Sequence, residues 1–557
     1  MPGGAPANAY ADPAFLAVTR PGSPFEIGMR GNLRQFVNAP DDLDMMIDAA
    51  RRFGTRTCVV DLSDPTGERR FSFSEIFGMR DRLVPRLQID RGQRVAICMR
   101  NSAEWMVAFL AVMKAGGVAV LVNSRAAGPE LLAMIMDTDP AVVLADAASA
   151  AALQTEGYAG RLLDVASAQD GEAVPLQALS DRAAPDDPCA ILFTSGTTGR
   201  VKGAVLSHRN LITGLMGTQL AGMMVIHNMA REMGMPVEAL LERMPQQASL
   251  LVAPLFHVSG LGSAFLSPFM AGSKVVIMRR WDPAEAARLI AGEGVSMLSA
   301  VPTMLWDMVH SARREALDLS SLRNIGCGGQ ALLVNLVEAI RAMCPQAQIG
   351  TGYGMTECAG AVAQALGEDF LRRPGSAGRV LPLVDMRIEG PDGDVLPAGE
   401  AGEIVVRGAQ VIAGYWNRAE ETAAAISADG WLRTGDIGMV DRDGYVTIVD
   451  RKKDMVISGG ENIYCAEVER VMGEMPEVEE CAAFGVPDER LGERLVAVVL
   501  AEGISEAAII ERTAQRLARY KAPARVMFSA EPLPRNAIGK VDKLALRKAW
   551  PQISGEH

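Results

Sequence analysis

Short, almost wholly apolar runs alternate with helix-length amphipathic stretches, and this alternation restricts the chain to one broad architecture. RVAICM (Arg94–Met99), GVAVLV (Gly117–Val122) and AVVLAD (Ala141–Asp146) are separated by stretches such as AEWMVAFLAVMKA. A second set follows in SLLVAPLF (Ser249–Phe256), KVVIM (Lys274–Met278) and MLSAVP (Met297–Pro302). Runs this uniformly apolar have no wet face, so they read as parallel strands covered by helices on both sides, in βαβ units. After about Arg379 the texture changes to short strands joined by D-G and P-x-G turns, as in DMRIEGPDGDVLPAGEAGEIVVRG. That pattern predicts a small antiparallel sheet or distorted barrel over residues 380–450.

The fold class expected is therefore α/β. A large amino-terminal domain spans 1–450, and a compact α+β domain follows over 451–557. In the latter, Glu467–Met472 and Ser505–Tyr520 read as helices, the second with Ile510, Ala514 and Leu517 on one face. VAVVLAE (Val496–Glu502) reads as a strand between them. The first forty residues are punctuated by Pro and Gly and are expected to be a loosely packed extension.

Composition excludes several functions. A net charge of −12 over 557 residues argues against a surface that coats nucleic acid or an anionic membrane. The eight cysteines form no C-x-x-C pair, which removes the usual zinc and dithiol sites and favours reduced thiols in the cytoplasm. The opening MPGGAPANAYADP carries no basic segment followed by an apolar core, so no secretory leader is expected. The longest apolar run, Met106–Val122, is broken by Lys114 and Gly116-Gly117 and reads as helix, turn and strand rather than a membrane span.

The stretch ILFTSGTTGRVKGAVLSH carries the strongest chemical signal. A buried strand (Ala190–Phe193) runs into Thr194, Ser195, Gly196, Thr197, Thr198 and Gly199, followed by Arg200 and Lys202. Hydroxyls, glycines and cations this closely spaced suit a loop that wraps phosphate oxygens with backbone and side-chain donors. Alone, a Thr/Ser/Gly run is more often a flexible turn, but the strand before it and the cations behind it weaken that reading. It is not the common nucleotide-phosphate loop, because Gly203 follows Lys202 where Ser or Thr would hold magnesium.

TSGTTGRVKG resembles the signature of the adenylate-forming superfamily, which includes acyl- and aryl-CoA synthetases, with Val201 where proline is usual. Further resemblances follow in the family's order. PLFHVSG (Pro254–Gly260) is similar to the segment whose histidine, here His257, borders the carboxylate pocket. GGQAL resembles the loop along adenine, through Gly328, Gly329 and Gln330. TGYGMTE (Thr351–Glu357) implies Tyr353 against the adenine ring, Gly354 and Met355 in the same loop, Thr356 on the α-phosphate and Glu357 on Mg²⁺. GWLRTGDIG implies that Asp436 accepts both ribose hydroxyls, a role a carboxylate can fill bidentately. Five consecutive charges, Asp450–Asp454, would alone be a solvated turn. Inside VDRKKDMVISGGENIYCAEVE they resemble the family's hinge. That resemblance implies ribose contact by Arg451, rotation at Lys453 and passage of the pantetheine arm by Ser458, Gly459 and Gly460. Cys465 replaces the usual proline, which predicts a less rigid turn. LPRNAIGKVDK resembles the loop of the mobile catalytic lysine, here Lys540.

The resemblance implies an ATP- and Mg²⁺-dependent, AMP-forming acid–thiol ligase that uses coenzyme A as acceptor. Thr194, Glu357 and Lys540 would be catalytic, and the carboxy-terminal domain would be mobile. Pocket positions His257, Val258, Gly260, Val301 and Gly328 offer no Arg or Lys for a second carboxylate. The expected substrate is thus a hydrophobic monocarboxylic acid, fatty or ring-bearing. Rival readings are transfer to a carrier protein and a non-catalytic nucleotide-binding regulator. Residues 216–244 hold seven of the 30 methionines, and Val237, Leu240, Leu241 and Met244 fall at helical spacing. This segment reads either as core packing or as an adaptable wall for the acyl group. Which acid is used is not legible, and a homodimer rests on base rate alone.

Overall fold

The computed structural model describes residues 12–64, 67–167, 182–195, 201–328, 334–452, 454–458, 461–535 and 540–554. Both sets of apolar runs form parallel strands. A six-stranded sheet places Arg94–Cys98 between Val118–Leu121 and Val142–Ala145, with all three parallel. β1 (Pro188–Ser195) joins Val118–Leu121 in parallel, and β2 (Val201–Ser207) turns back antiparallel at the edge. The run Met106–Val122 divides as expected. Helix Ala103–Lys114 is capped by Ser102, is almost wholly buried, and ends in a turn where Gly116 adopts φ 67°.

The second sheet has thirteen strands. Its parallel part includes β3 (Met297–Ala300), β4 (Asn324–Gly328) and β5 (Gln348–Met355), side by side in that order. Two expected strands are shorter than their apolar runs. Ser249–Phe256 is a strand only as far as Leu251, and Met297–Pro302 only as far as Ala300. In the second case Pro302 occupies the first turn of helix Pro302–Glu315, where its missing N–H costs nothing.

The antiparallel strands expected over 380–450 are present, but they extend the same sheet, and among the described residues no ladder closes them into a barrel. Gly360–Leu366 and Gly378–Val380 stitch them on. At Gly378 (φ 98°) a Cβ would fall 1.9 Å from the carbonyl carbon of Gln364, so only glycine permits the strands to meet there. β6 (Leu432–Val440) and β7 (Tyr445–Arg451) follow in this part of the sheet.

Residues 12–40 do not form a loose extension. Asp12 caps helix Pro13–Val18, whose Phe15 and Val18 are buried against the long helix α1 (His208–Glu232). A hairpin of Ile27–Arg30 and Leu33–Phe36 adds buried Phe36, and Arg34 pairs with Asp385 at 2.6 Å. The two aromatic residues supply the buried area that the local Pro/Gly content conceals.

The carboxy-terminal unit is a five-stranded sheet with helix α2 (Cys465–Gly473), strand β8 (Val478–Asp488) and helix α3 (Lys543–Ser554). α3 packs Leu546 and Trp550 on β8, with Trp550 edge-on to Phe484. The helix expected over 505–520 runs from Glu506 to Arg516. Its buried positions are Ile509 and Thr513, one residue earlier than the face predicted, while Ile510 and Leu517 are only partly covered. Cys465 is buried, and its thiol donates to the Asp454 carbonyl at 3.1 Å. A side-chain bond there ties the turn that a proline ring would otherwise stiffen. All eight cysteines are free thiols. Among the described residues no helix is long and apolar enough to cross a membrane.

Candidate active site

A cavity of about 2540 Å³ runs along β3, β4 and β5 to their carboxyl ends, between this sheet, β1–β2 and α1. Single-ligand pockets typically hold about 300–1,000 Å³, so this one has room for several groups at once. Its reach to the carboxyl ends of parallel strands puts it where open α/β sheets place their ligands.

Thr194 and Lys202 sit directly opposite each other in the β1–β2 ladder, and both line the cavity. Ser195 ends β1. Gly196, Thr197, Thr198 and Gly199 lie outside the described residues, as do Gly329, Gln330, Lys453, Gly459 and Gly460. Gly328 ends β4 and borders the cavity.

β5 delivers Tyr353, Gly354 and Met355, and a tight turn of Thr356–Cys358 follows with Thr356 buried. The pairing of β5 with its neighbour shifts register between Tyr353 and Gly354, a bulge that re-aims the side chains after it. Gly354 is required there, since a Cβ would lie 2.0 Å from the Gly360 carbonyl oxygen.

Two hydrogen bonds organise the acidic groups. The Tyr353 hydroxyl donates to Asp436 Oδ2 at 2.8 Å, with both residues buried. The β6–β7 register sets Asp436 opposite Arg451, whose Nε is 3.4 Å from Oδ1. Burial raises the Asp436 pKa above the usual carboxylate range, against the pull of Arg451, Tyr353 and Lys540. Around the other carboxylate, the Tyr415 hydroxyl donates to Glu357 Oε1 at 3.0 Å, and Lys202 Nζ lies 5.4 Å from the Tyr415 ring. Burial, with Glu357 beside it, pushes the Tyr415 phenol well up, so it stays a donor. Sequence reasoning missed Tyr415. In GYWN it carries no local mark of function, and only the fold brings it to Glu357.

His257 precedes a π-helical segment, Ser259–Leu266, a geometry often found at functional sites. Its Nδ1 accepts the Ser259 N–H at 3.3 Å and lies 2.8 Å from Ser259 Oγ. This pattern assigns the proton to Nε2. Burial, reinforced by the Lys540 charge, lowers the His257 pKa to about 4. Val258 is buried, Val301 is half-buried, and both line the cavity. Gly260 does not: its Cβ would lie 2.0 Å from the Pro254 carbonyl oxygen, so its smallness serves the turn of the chain.

Lys540 reaches the same cavity from the carboxy-terminal unit. Its ammonium pKa is lowered by burial and by Arg451, and Asp436 opposes the shift. Ser458 sits on strand Val456–Ser458 paired with Gly492 and does not line the cavity. The methionine-rich segment divides between its two readings. Met216 is buried in the core, while Met223, Met229 and Met244 line the cavity. Leu240 is buried and Leu241 is exposed, so the stripe expected from Val237 to Met244 is only partly a packing face. Arg100, Arg125, Arg279 and Arg280 also border the cavity, and no motif had pointed to them.

Among the described residues no group of three or more His, Cys, Asp or Glu gathers to hold a metal. A single carboxylate, Glu357, suits Mg²⁺ held jointly with substrate phosphates, as that ion prefers.

The chain matches the family model of AMP-binding enzymes over residues 47–416 and that of the AMP-binding enzyme carboxy-terminal domain over residues 467–540. It is 35 % identical over 500 residues to the long-chain-fatty-acid–CoA ligase FadD13 of Mycobacterium tuberculosis, covering 87 % of this chain and 94 % of that one. It is 37 % identical over 474 residues to a feruloyl-CoA synthase from Amycolatopsis, covering 82 % and 89 %. The o-succinylbenzoate coenzyme A synthetase of Bacillus subtilis, solved with ATP and a magnesium ion, superposes with a TM-score of 0.73 at 28 % identity, covering 92 % of this chain and 99 % of that one. With the cavity, the opposed Asp436 and Arg451 and the inserted Lys540 already in place, these matches establish that the chain belongs to the AMP-binding, adenylate-forming enzymes, among the AMP-forming acyl- and aryl-CoA ligases.

Proposed function

We propose that this enzyme activates a hydrophobic monocarboxylic acid with ATP and transfers the acyl group to coenzyme A. The observation that carries the reading is the meeting of Lys540 with Asp436, Arg451 and His257 around one cavity. In the first half-reaction a carboxylate oxygen attacks the α-phosphorus of ATP, and the bond to pyrophosphate breaks. Lys540 supplies positive charge where negative charge accumulates, in a site where burial strengthens it. Thr194, Lys202 and Thr356 supply donors to phosphate oxygens. Asp436, oriented by Tyr353 and Arg451, accepts the ribose hydroxyls. Glu357, held by Tyr415, would bind Mg²⁺, which when present neutralises phosphate charge. Neutral His257 offers Nε2–H to the acid without adding a charge.

In the second half-reaction the thiol of coenzyme A attacks the acyl carbon and AMP leaves. The carboxy-terminal unit would turn about Lys453 to withdraw Lys540 and bring Ser458, Gly459 and Gly460 to the thiol. Arg125 lies close enough to Arg100 for their charges to repel, and this like-charged pair on the cavity wall suits the phosphates of coenzyme A. The apolar wall of α1, with Val258 and Phe256, supports a hydrophobic acid. The free thiols accord with a cytoplasmic location.

The test is pyrophosphate release and thioester formation over a panel of acids, with and without coenzyme A. Acid-dependent pyrophosphate release, and thioester only with coenzyme A, is the expected result. Pyrophosphate release with no thioester would instead favour a carrier protein as acceptor. No release with any acid would favour a nucleotide-binding regulator.

A further inference from the structure

Helix α1 spans 25 residues and contains glycines at 214, 217 and 222. Glycine is the least favourable helical residue after proline, so each invites a reason. Gly214 has one in packing, because a Cβ would lie 2.5 Å from the Ala359 carbonyl oxygen. Gly222 has none of that kind. It does not adopt a positive φ, and a Cβ there would meet no atom within 4 Å. It is exposed and faces the open space of the cavity, which it lines together with Thr218, Val225, Ile226 and Met229 on the same side of the helix.

From this geometry we propose that Gly222 determines specificity by keeping the acyl part of the cavity wide, so that the substrate class is a ring-bearing, broad hydrophobic monocarboxylate. This rests on the ligase reading given above. Omitting one side chain widens the cavity at a single level and does not lengthen it. Width is what a ring or fused ring system needs, whereas a single alkyl chain passes a narrower channel. The neighbours at 225, 226 and 229 are apolar, and Met229 is unbranched and adaptable, so the widened level stays hydrophobic. The helix forgoes local stability at this position for the sake of the space beside it.

The experiment compares kcat/KM for pyrophosphate release by the full-length enzyme and its Gly222→Ala and Gly222→Leu variants. The two acid series are matched in size, one linear alkanoic and one aryl- or cycloalkyl-substituted. Leu at 222 is expected to lower kcat/KM for the ring-bearing series by about 10–200-fold, the range for methylene-scale misfits in apolar pockets, and Ala by less. Both variants should lose less on the linear series than on the ring-bearing one. Their melting temperatures should stay level or rise, since each replaces a helical glycine. Unchanged preference, or equal loss on both series, overturns the proposal. If wild-type enzyme releases no pyrophosphate with any acid, the ligase reading fails instead, which separates the two.

Discussion

Lys543 Nζ stands 2.7 Å from Glu469 Oε1, and the same oxygen accepts the Ala483 N–H at 2.7 Å. Lys543 begins α3, three residues after Lys540, and Glu469 belongs to α2. On the other side of the lysine loop Arg535 pairs with Glu480 of β8 at 2.6 Å, and the Leu533 N–H donates to the same carboxylate. The described residues on both sides of Lys540 are thus fastened to α2 and β8. Glu469→Gln should lower stability by about 1–3 kcal/mol, since it leaves a largely buried ammonium poorly paired. At a temperature where the variant is folded it should slow adenylation yet leave thioester formation from supplied acyl-adenylate near normal. Equal slowing of both half-reactions would show that the pair serves only folding.

Removal of Lys540 itself separates the half-reactions more sharply. Lys540→Ala should cost roughly 10²–10³ in the rate of acyl-adenylate formation, the usual consequence of losing one preorganised electrostatic donor. Conversion of supplied acyl-adenylate and coenzyme A to thioester should continue at close to the wild-type rate. Rapid-quench measurement of each step decides the matter, and an undiminished first step would remove Lys540 from the chemistry.

Tyr415 is bound to Glu357 through its hydroxyl alone, so Tyr415→Phe deletes one bond while keeping the ring beside Lys202. A hydrogen bond to a charged group contributes about 1.5–3 kcal/mol. The variant should require a higher magnesium concentration for half-maximal pyrophosphate release. Glu357→Gln should abolish release at any magnesium level. A magnesium titration that is unchanged in Tyr415→Phe would detach this tyrosine from the metal site.

His257 titrates near pH 4 in the folded enzyme, below the value of about 6.5 for an unfolded histidine. The unfolded chain therefore binds a proton at this position that the folded chain refuses. Its contribution to stability is full above about pH 6.5, falls as pH drops towards 4, and levels off below. Ring-proton shifts of His257 should stay those of a neutral imidazole from pH 8 to about 5. A midpoint near 6.5 would mean that the ring is solvated and not held neutral by burial.

Much of this was legible along the chain because the determinants are local. Parallel strands declare themselves by short apolar runs, since burial on both faces leaves no room for polar alternation. The segments TGYGMTE and GWLRTGDIG each fold as a strand with an adjoining turn, so neighbours in sequence remain neighbours at the site. Residues 12–40 were misread for the converse reason. Their Pro and Gly content is local, whereas the partners of Phe15 and Arg34 lie on α1 and at Asp385.

The sequence alone determined the α/β class, the order of the motif-bearing loops and the types of donor they carry, because hydrogen-bonding chemistry and strand periodicity act within a few residues. Only the tertiary structure decided that Tyr415 holds Glu357, that Glu469 fastens the lysine loop through Lys543, and that Gly222 faces a cavity instead of a packed neighbour. It also decided that the antiparallel strands after Gly378 extend the main sheet. Each of these depends on register and packing between segments far apart in the chain. No periodicity encodes such relationships, because a side chain's partner across a ladder or cavity is fixed by the alignment of whole elements.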